Sequence, residues 1–314
     1  MNENRLQKGI EKVNTKQVLW VSFFSLLYLA LSVALIGFKT DQLFLVFLFN
    51  LMYYISFITR RFILGFLIFI VFWIIFDFMK IIPNYTVNDI HIKDLYLRER
   101  NWFGMIDGNL VLTPNEFADK YSLVSLDIIS GFFYLNWVPV PLLFACYLFA
   151  TDKLFFLRFS LTFLLVNLLG FAIYYLYPAA PPWYIKEYGF DLHFNTPGHT
   201  GALGRFDNYF DVKIFSNLYA KSSNVFAAMP SLHSAYPVVV FYYGIKKKLG
   251  LINVMFFVFM LGIWFSAVYT GHHYVQDVIA GFLCALGGIF LFNILIEKSE
   301  RFKKFIFSYR NFIS

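Results

Sequence analysis

The sequence predicts an all-α fold, a polytopic transmembrane helical bundle of about eight spans with outward-facing interfacial segments. Three observations carry this. Of the 314 residues, 59% are hydrophobic and only 14% charged, more apolar surface than a water-soluble domain of this length needs. The apolar residues fall in runs of about 20, the length that crosses about 30 Å of hydrocarbon at about 1.5 Å per residue. Lys and Arg gather in the short connections of one side. A membrane β-barrel would show short segments of alternating polarity, and none is visible.

The stretch MNENRLQKGIEKVNTKQ is charged and leads into an apolar run too long for a signal-peptide core. With no small-residue cleavage site after it, it reads as an uncleaved signal anchor. The spans follow at about 17–37, 42–59, 62–80, 131–150, 154–177, 231–248, 251–271 and 275–296. Two stretches are too polar to cross. One is 81–130, with LTPNEF as a helix-start signal; the other is 178–230, rich in Gly, Pro, Asn and aromatics. Both predict short interfacial helices. The expected organisation is a set of N-terminal transmembrane helices over 1–80, a membrane domain over 81–296 and a basic cytoplasmic tail over 297–314. Cys146 and Cys284 lie inside apolar spans, which argues against a disulfide framework.

Orientation follows from the basic residues. Arg5, Lys8, Lys12, Lys16, Arg60, Arg61, Lys153, Lys246, Lys247, Lys248, Lys298, Arg301, Lys303, Lys304 and Arg310 fall on one side. On the other, cations are fewer and mixed with acids such as Asp89, Asp94, Glu99, Asp107, Glu116 and Asp119. Both termini are therefore expected in the cytoplasm, with the two long segments on the periplasmic or luminal side. The net charge of +7 is then a topology signal, and nucleic acid is not an expected partner.

Three motifs meet at the outer face. In PSLHS, Pro230 and Ser231 are helix-start residues, and a helix N-terminus offers free N–H groups to an anion. His233 would stand in the first turn beside a bound phosphate. In YTGHHYVQDVIAG, His273 and Asp277 are four apart and would share one helix face. A carboxylate there can fix the imidazole tautomer and free the other nitrogen as nucleophile or base. His272 points elsewhere. His233 and His273 are 40 residues apart with Lys246–Lys248 near the middle, the length of a helix down, a basic turn and a helix back. The third motif, YPAAPPWY at 177–184, stops the fifth span with three prolines and places Trp183 and Tyr184 at the headgroup level.

Two histidines, an aspartate and a helix-start anion site suggest covalent phosphoryl transfer. One histidine attacks phosphorus while the other protonates the leaving oxygen and then deprotonates the acceptor. His273, backed by Asp277, is the better nucleophile, and His233 the better acid and base.

These residues resemble the type 2 phosphatidic acid phosphatase superfamily, whose second motif reads Pro-Ser-Gly-His and whose third ends in His-x-x-x-Asp. Here they stand as Pro230-Ser231-Leu232-His233 and His273-Tyr274-Val275-Gln276-Asp277. The resemblance covers about residues 90 to 285 and implies a six-helix phosphatase-like catalytic core, with the third-motif histidine as nucleophile and the second-motif histidine as acid and base. The departures are informative. Tyr177-Pro178 sits where the superfamily has Arg-Pro, the third motif opens Ser266-Ala267 instead of Ser-Arg, and Leu232 replaces glycine. These, with APPWY at 180–184 and GRFD at 204–207, look like the inositol phosphorylceramide synthase branch. That branch moves phosphoinositol from phosphatidylinositol to ceramide and releases diacylglycerol. The resemblance thus implies a phospholipid donor, a lipid-alcohol acceptor and no cofactor.

With the basic clamp missing, Arg205, Lys221 and His272 are the candidates to neutralise the phosphate beside Ser231, Arg205 first because it lies in GRFD. Asp107, Asn109, Asn115 and Glu116 are candidates for a sugar headgroup. Three rivals remain. A lipid phosphatase or pyrophosphatase would use the same residues with water as acceptor, though its more highly charged substrate would need more cations. A metal site of His233, His272, His273 and Asp277 has suitable ligand types, but adjacent helical histidines point about 100° apart, and no metal is expected. A transporter would place its polar groups near mid-span.

Overall fold

A computed structural model describes residues 13–194, 196–220 and 224–314. Arg5, Lys8 and Lys12 of the expected anchor lie outside the described residues. The helices in chain order begin with α1 (Thr15–Ile36), α2 (Thr40–Ile55), α3 (Phe57–Gly65), α4 (Leu67–Phe78) and α5 (Lys93–Phe103). A hairpin follows, β1 (Met105–Asp107) and β2 (Leu110–Leu112), with Ile106 opposite Val111. Then come α6 (Pro114–Lys120), α7 (Val124–Leu135), α8 (Pro139–Thr151), α9 (Lys153–Leu176) and α10 (Pro182–Tyr188). The chain closes with α11 (Gly204–Phe210), α12 (Ile214–Tyr219), α13 (Leu232–Lys246), α14 (Ile252–Tyr269), α15 (Val275–Lys298) and α16 (Glu300–Ile313). Apart from the hairpin the architecture is helical, as expected.

The eight apolar runs all fall on helices. By length and hydropathy five of the described helices can cross a membrane, taking α7 and α8 together as one, and the α3–α4 pair, bent by 47°, makes a sixth. The count of about eight is not reached on that measure, because α2 has 16 residues and α13 has 15. α13 also carries Pro237 in its interior.

The chain divides into two compact units. One comprises the described part of Met1–Ile82 with Leu148–Ser160 and Ser299–Ser314. In it Asn14 caps α1 reciprocally with Gln17, satisfying donors that a first turn leaves free. α1 has no polar face, and Leu19, Trp20, Phe23, Phe24 and Leu26 are all exposed, a surface suited to lipid. Phe66, at the α3–α4 bend, packs its ring on Phe62 and Phe156.

The other unit, Pro83–Tyr147 with Leu161–Lys298, contains every described residue of the three motifs. α13 packs against both α14 and α15. Small residues set how close the helices come: a Cβ on Gly281 of α15 would run into the Ser231 carbonyl, and one on Gly170 would meet Leu232 at 2.6 Å. The start of α13 is thus pressed directly against α15.

The proline-rich segment differs from expectation. Trp183 and Tyr184 are buried, in a cluster with Ile92, Ala180 and Phe226. The segment acts as a strut. Ala179 donates to Phe226 O at 2.9 Å, Ala180 to His91 O at 3.0 Å, and Trp183 N–H to Gly271 O at 2.9 Å. Prolines that halt a helix leave the next residues extended, and the segment bonds to three neighbouring stretches, at 91, 226 and 271.

Candidate active site

Ser231 opens α13 as the sequence anticipates. Its hydroxyl oxygen accepts from Ser234 N–H at 3.3 Å and from the Ser234 hydroxyl at 3.0 Å, and its own N–H donates to the Asp277 carbonyl at 2.9 Å. This backbone bond ties the PSLHS turn to α15, the helix that carries Asp277. The two histidines meet: His233 Nδ1 lies 3.0 Å from His273 Nε2.

Local structure around His273 departs from the helix-face expectation. α15 starts only at Val275, so His272 and His273 lie in the preceding turn. His273 Nδ1 faces the Ala228 carbonyl at 2.9 Å, whereas Asp277 Oδ2 is 3.8 Å away, beyond a hydrogen bond. Asp277 caps the helix, accepting from Tyr274 N–H at 2.8 Å. A carbonyl can only accept, so His273 Nδ1 carries the proton, and in the neutral ring Nε2 keeps its lone pair. His233 Nδ1 must then be the donor across the 3.0 Å contact.

Two residues that sequence reasoning missed complete this arrangement. Tyr134 OH lies 3.1 Å from His233 Nδ1, and Trp137 stands edge-on to the His233 ring at 4.4 Å between centroids. Both come from about a hundred positions upstream, and an aromatic in an apolar run gives no local signal of such a contact.

His272 faces away. Its Nε2–H donates to the Thr200 carbonyl at 2.8 Å, and its ring stacks on Tyr219 at 4.4 Å. Burial, together with the nearby His273, pushes its pKa down to about 3, and its Nε2–H is already committed to Thr200. It holds the 199–203 loop, where Ala202 N–H also donates to Thr270 O at 2.9 Å.

Arg205 does not join the histidine pair. It forms ion pairs with Asp119 and, at 3.4 Å, with Asp127, while Asp119 also pairs with Lys186 at 2.8 Å. Arg205, Asp119 and Lys186 line a cavity of about 520 Å³, together with Thr200 and with Thr270, Gly271 and Tyr274 of the turn that carries the histidines. Lys221 lies outside the described residues. The headgroup candidates of the first long segment are mostly engaged. Asp107 pairs with Lys120 and accepts from Tyr121, and Glu116 accepts from Thr113 N–H and the Tyr96 hydroxyl. Asn115 spends its amide on backbone carbonyls.

Comparison with known proteins agrees with this architecture. The family model described as PAP2 superfamily matches residues 101–291, more than half of the chain. A phosphoinositol dihydroceramide synthase of Bacteroides thetaiotaomicron is 42% identical over 300 residues, 95% of this chain and 98% of that protein. The inositol phosphorylceramide synthase of Candida albicans is 30% identical over 182 residues, 54% of this chain and 38% of its own length. The catalytic subunit of the Saccharomyces cerevisiae enzyme is 33% identical over 124 residues, 37% of this chain and 29% of its own length. No solved structure matches the chain.

Proposed function

The chain belongs to the PAP2 superfamily, in its inositol phosphorylceramide synthase-like branch, and we propose that it is an integral membrane phosphotransferase moving a phosphoinositol-type headgroup from a glycerophospholipid to a lipid alcohol such as ceramide. The observation that carries the proposal is the 3.0 Å contact of His233 Nδ1 with His273 Nε2, the one nitrogen set to donate and the other holding a free lone pair.

His273 Nε2 attacks phosphorus, the bond from phosphorus to the diacylglycerol oxygen breaks, and a phosphohistidine forms. The anionic phosphodiester favours the doubly protonated His233, whose Nδ1 proton goes to the leaving oxygen. Neutral His233 then removes the proton of the acceptor hydroxyl, whose oxygen attacks phosphorus as the P–N bond breaks. Each displacement is in line, so nucleophile and leaving oxygen stand on opposite sides of phosphorus. The two imidazoles must therefore part to admit the substrate. Tyr134 keeps a hydrogen-bonding oxygen beside His233. Asp277 supports His273 through charge and through the start of α15 rather than by a direct hydrogen bond.

The headgroup occupies the 520 Å³ cavity, where Arg205 and Lys186 supply cations and Asp119 and Thr200 supply acceptors for a polyol. The site opens on the non-cytoplasmic side. Supporting this, the histidines stand at the ends of α13 and α15 opposite the basic turn at Lys246–Lys248. Purified protein given labelled phosphatidylinositol, with and without ceramide, tests the reading by thin-layer chromatography. Ceramide-dependent transfer is expected; release of water-soluble inositol phosphate with no transfer to ceramide would make it a hydrolase.

A further inference from the structure

We infer that Glu99 and Asn115, two buried polar residues outside the three motifs, position His273 by holding the backbone turn on which it sits. The inference rests on the reading of His273 as the attacking group.

Glu99 lies on α5 with no exposed surface. One carboxylate oxygen accepts from Val275 N–H at 2.8 Å and the other from Gln276 N–H at 3.2 Å. These are first-turn amides of α15, donors that no helix can satisfy from within. The Gln276 side chain ties α15 to α5 a second time, donating to Leu95 O at 2.9 Å. Asn115, on α6, donates from Nδ2 to the Val268 carbonyl at 2.7 Å and to the His273 carbonyl at 2.9 Å. Its Oδ1 is buried with no hydrogen bond, so the donor end is the useful one. The turn is therefore gripped at 268, 273, 275 and 276, on both sides of the His273 ring.

A helix start needs no such arrangement for stability alone. A local Ser, Thr, Asn or Asp usually caps it, and α13 and α16 do so with Ser231 and Ser299. α15 has Asp277 on Tyr274 N–H and takes a further carboxylate from 176 residues away. Burying that carboxylate beside the second one is costly: burial pushes Glu99 up to about 7, against the pull of the two amides, and Asp277 adds to the rise. What the arrangement provides is a fixed height and direction for the residue two positions before Val275. In-line attack is sensitive to that placement, and a displacement of about 1 Å costs about 100-fold in rate.

The test uses the full-length protein in lipid with two readouts. In the transfer assay, Glu99→Gln and Asn115→Asp should lose about 100-fold in kcat while KM for donor and acceptor stays within about twofold, with Glu99→Asp recovering part of the loss. Independently of turnover, carbethoxylation of His273 by diethylpyrocarbonate, mapped by mass spectrometry, should speed up about tenfold as the ring loses its fixed contacts. Glu99→Gln is close to isosteric, so it remains informative if an alanine variant does not fold. A Glu99→Gln protein with wild-type kcat and wild-type labelling would overturn the inference. If the wild type itself transfers nothing, the functional reading fails, and the labelling rate still decides whether these residues hold His273.

Discussion

Replacing His233 by alanine separates proton delivery from nucleophilic attack. The side chain meets His273 at 3.0 Å and Tyr134 at 3.1 Å, and no other imidazole faces His273 Nε2 among the described residues. A positioned general acid contributes about 10²–10⁴-fold. A diacylglycerol alkoxide is a poor leaving group, so the loss should fall in the upper part, about 10³–10⁴-fold, or about 4–5.5 kcal/mol at 1.36 kcal/mol per decade. A nitrophenolate leaves without a proton. With a phosphoinositol nitrophenyl diester, the first-turnover burst of nitrophenolate from His233→Ala, which precedes the acceptor step that needs His233 as base, should therefore slow by less than about tenfold. His273→Ala should abolish turnover of both substrates. The assay pairs absorbance of nitrophenolate with chromatography of the labelled lipid, each on protein checked for an unchanged melting temperature. Equal losses on both substrates would refute the assignment of His233 as acid.

Three further outcomes follow from the same geometry. Gly281→Ala drives a Cβ into the Ser231 carbonyl and should destabilise the protein by about 1–3 kcal/mol, read as a lowered melting temperature in micelles, whereas Gly287→Ala, in open space on the same helix, should not. Arg205→Gln leaves Asp119 with Lys186 alone and should raise KM for the donor lipid about tenfold, roughly 1.4 kcal/mol; unchanged KM would remove Arg205 from the headgroup cavity. Glu99 has its folded pKa raised from 4.5 to about 7, so between those values the folded state binds the extra proton. Stability attributable to this group therefore falls as pH rises through that window, by about 3 kcal/mol in all, and the slope should be absent in Glu99→Gln.

Much of this architecture is legible in the chain. Apolar run length marks the helices, and the 40-residue interval between His233 and His273, with three lysines at its middle, brings the imidazoles to one face. That arithmetic works because helix rise and membrane thickness are nearly constant. What the sequence hides is whatever depends on tertiary backbone. The Ala228 carbonyl that orients His273 has no signature, since every residue has a carbonyl. The spacing of His273 and Asp277 suggests a shared helix face, but the helix begins two residues too late, and the carboxylate caps it instead. Arg205 reads as a free cation in sequence and is held by Asp119 and Asp127, acids some 80 positions away. Trp183 and Tyr184 carry the composition of an interface anchor, yet they lie in the first turn of α10 and are buried there.

The central claim is a phosphohistidine, and stereochemistry at phosphorus tests it most directly. A donor lipid made chiral at phosphorus by one sulfur substitution would be turned over, and the configuration of the product read by phosphorus NMR. Two successive in-line displacements, first by His273 and then by the acceptor hydroxyl, predict overall retention. Inversion would mean that the acceptor attacks the donor lipid directly, and would contradict the account.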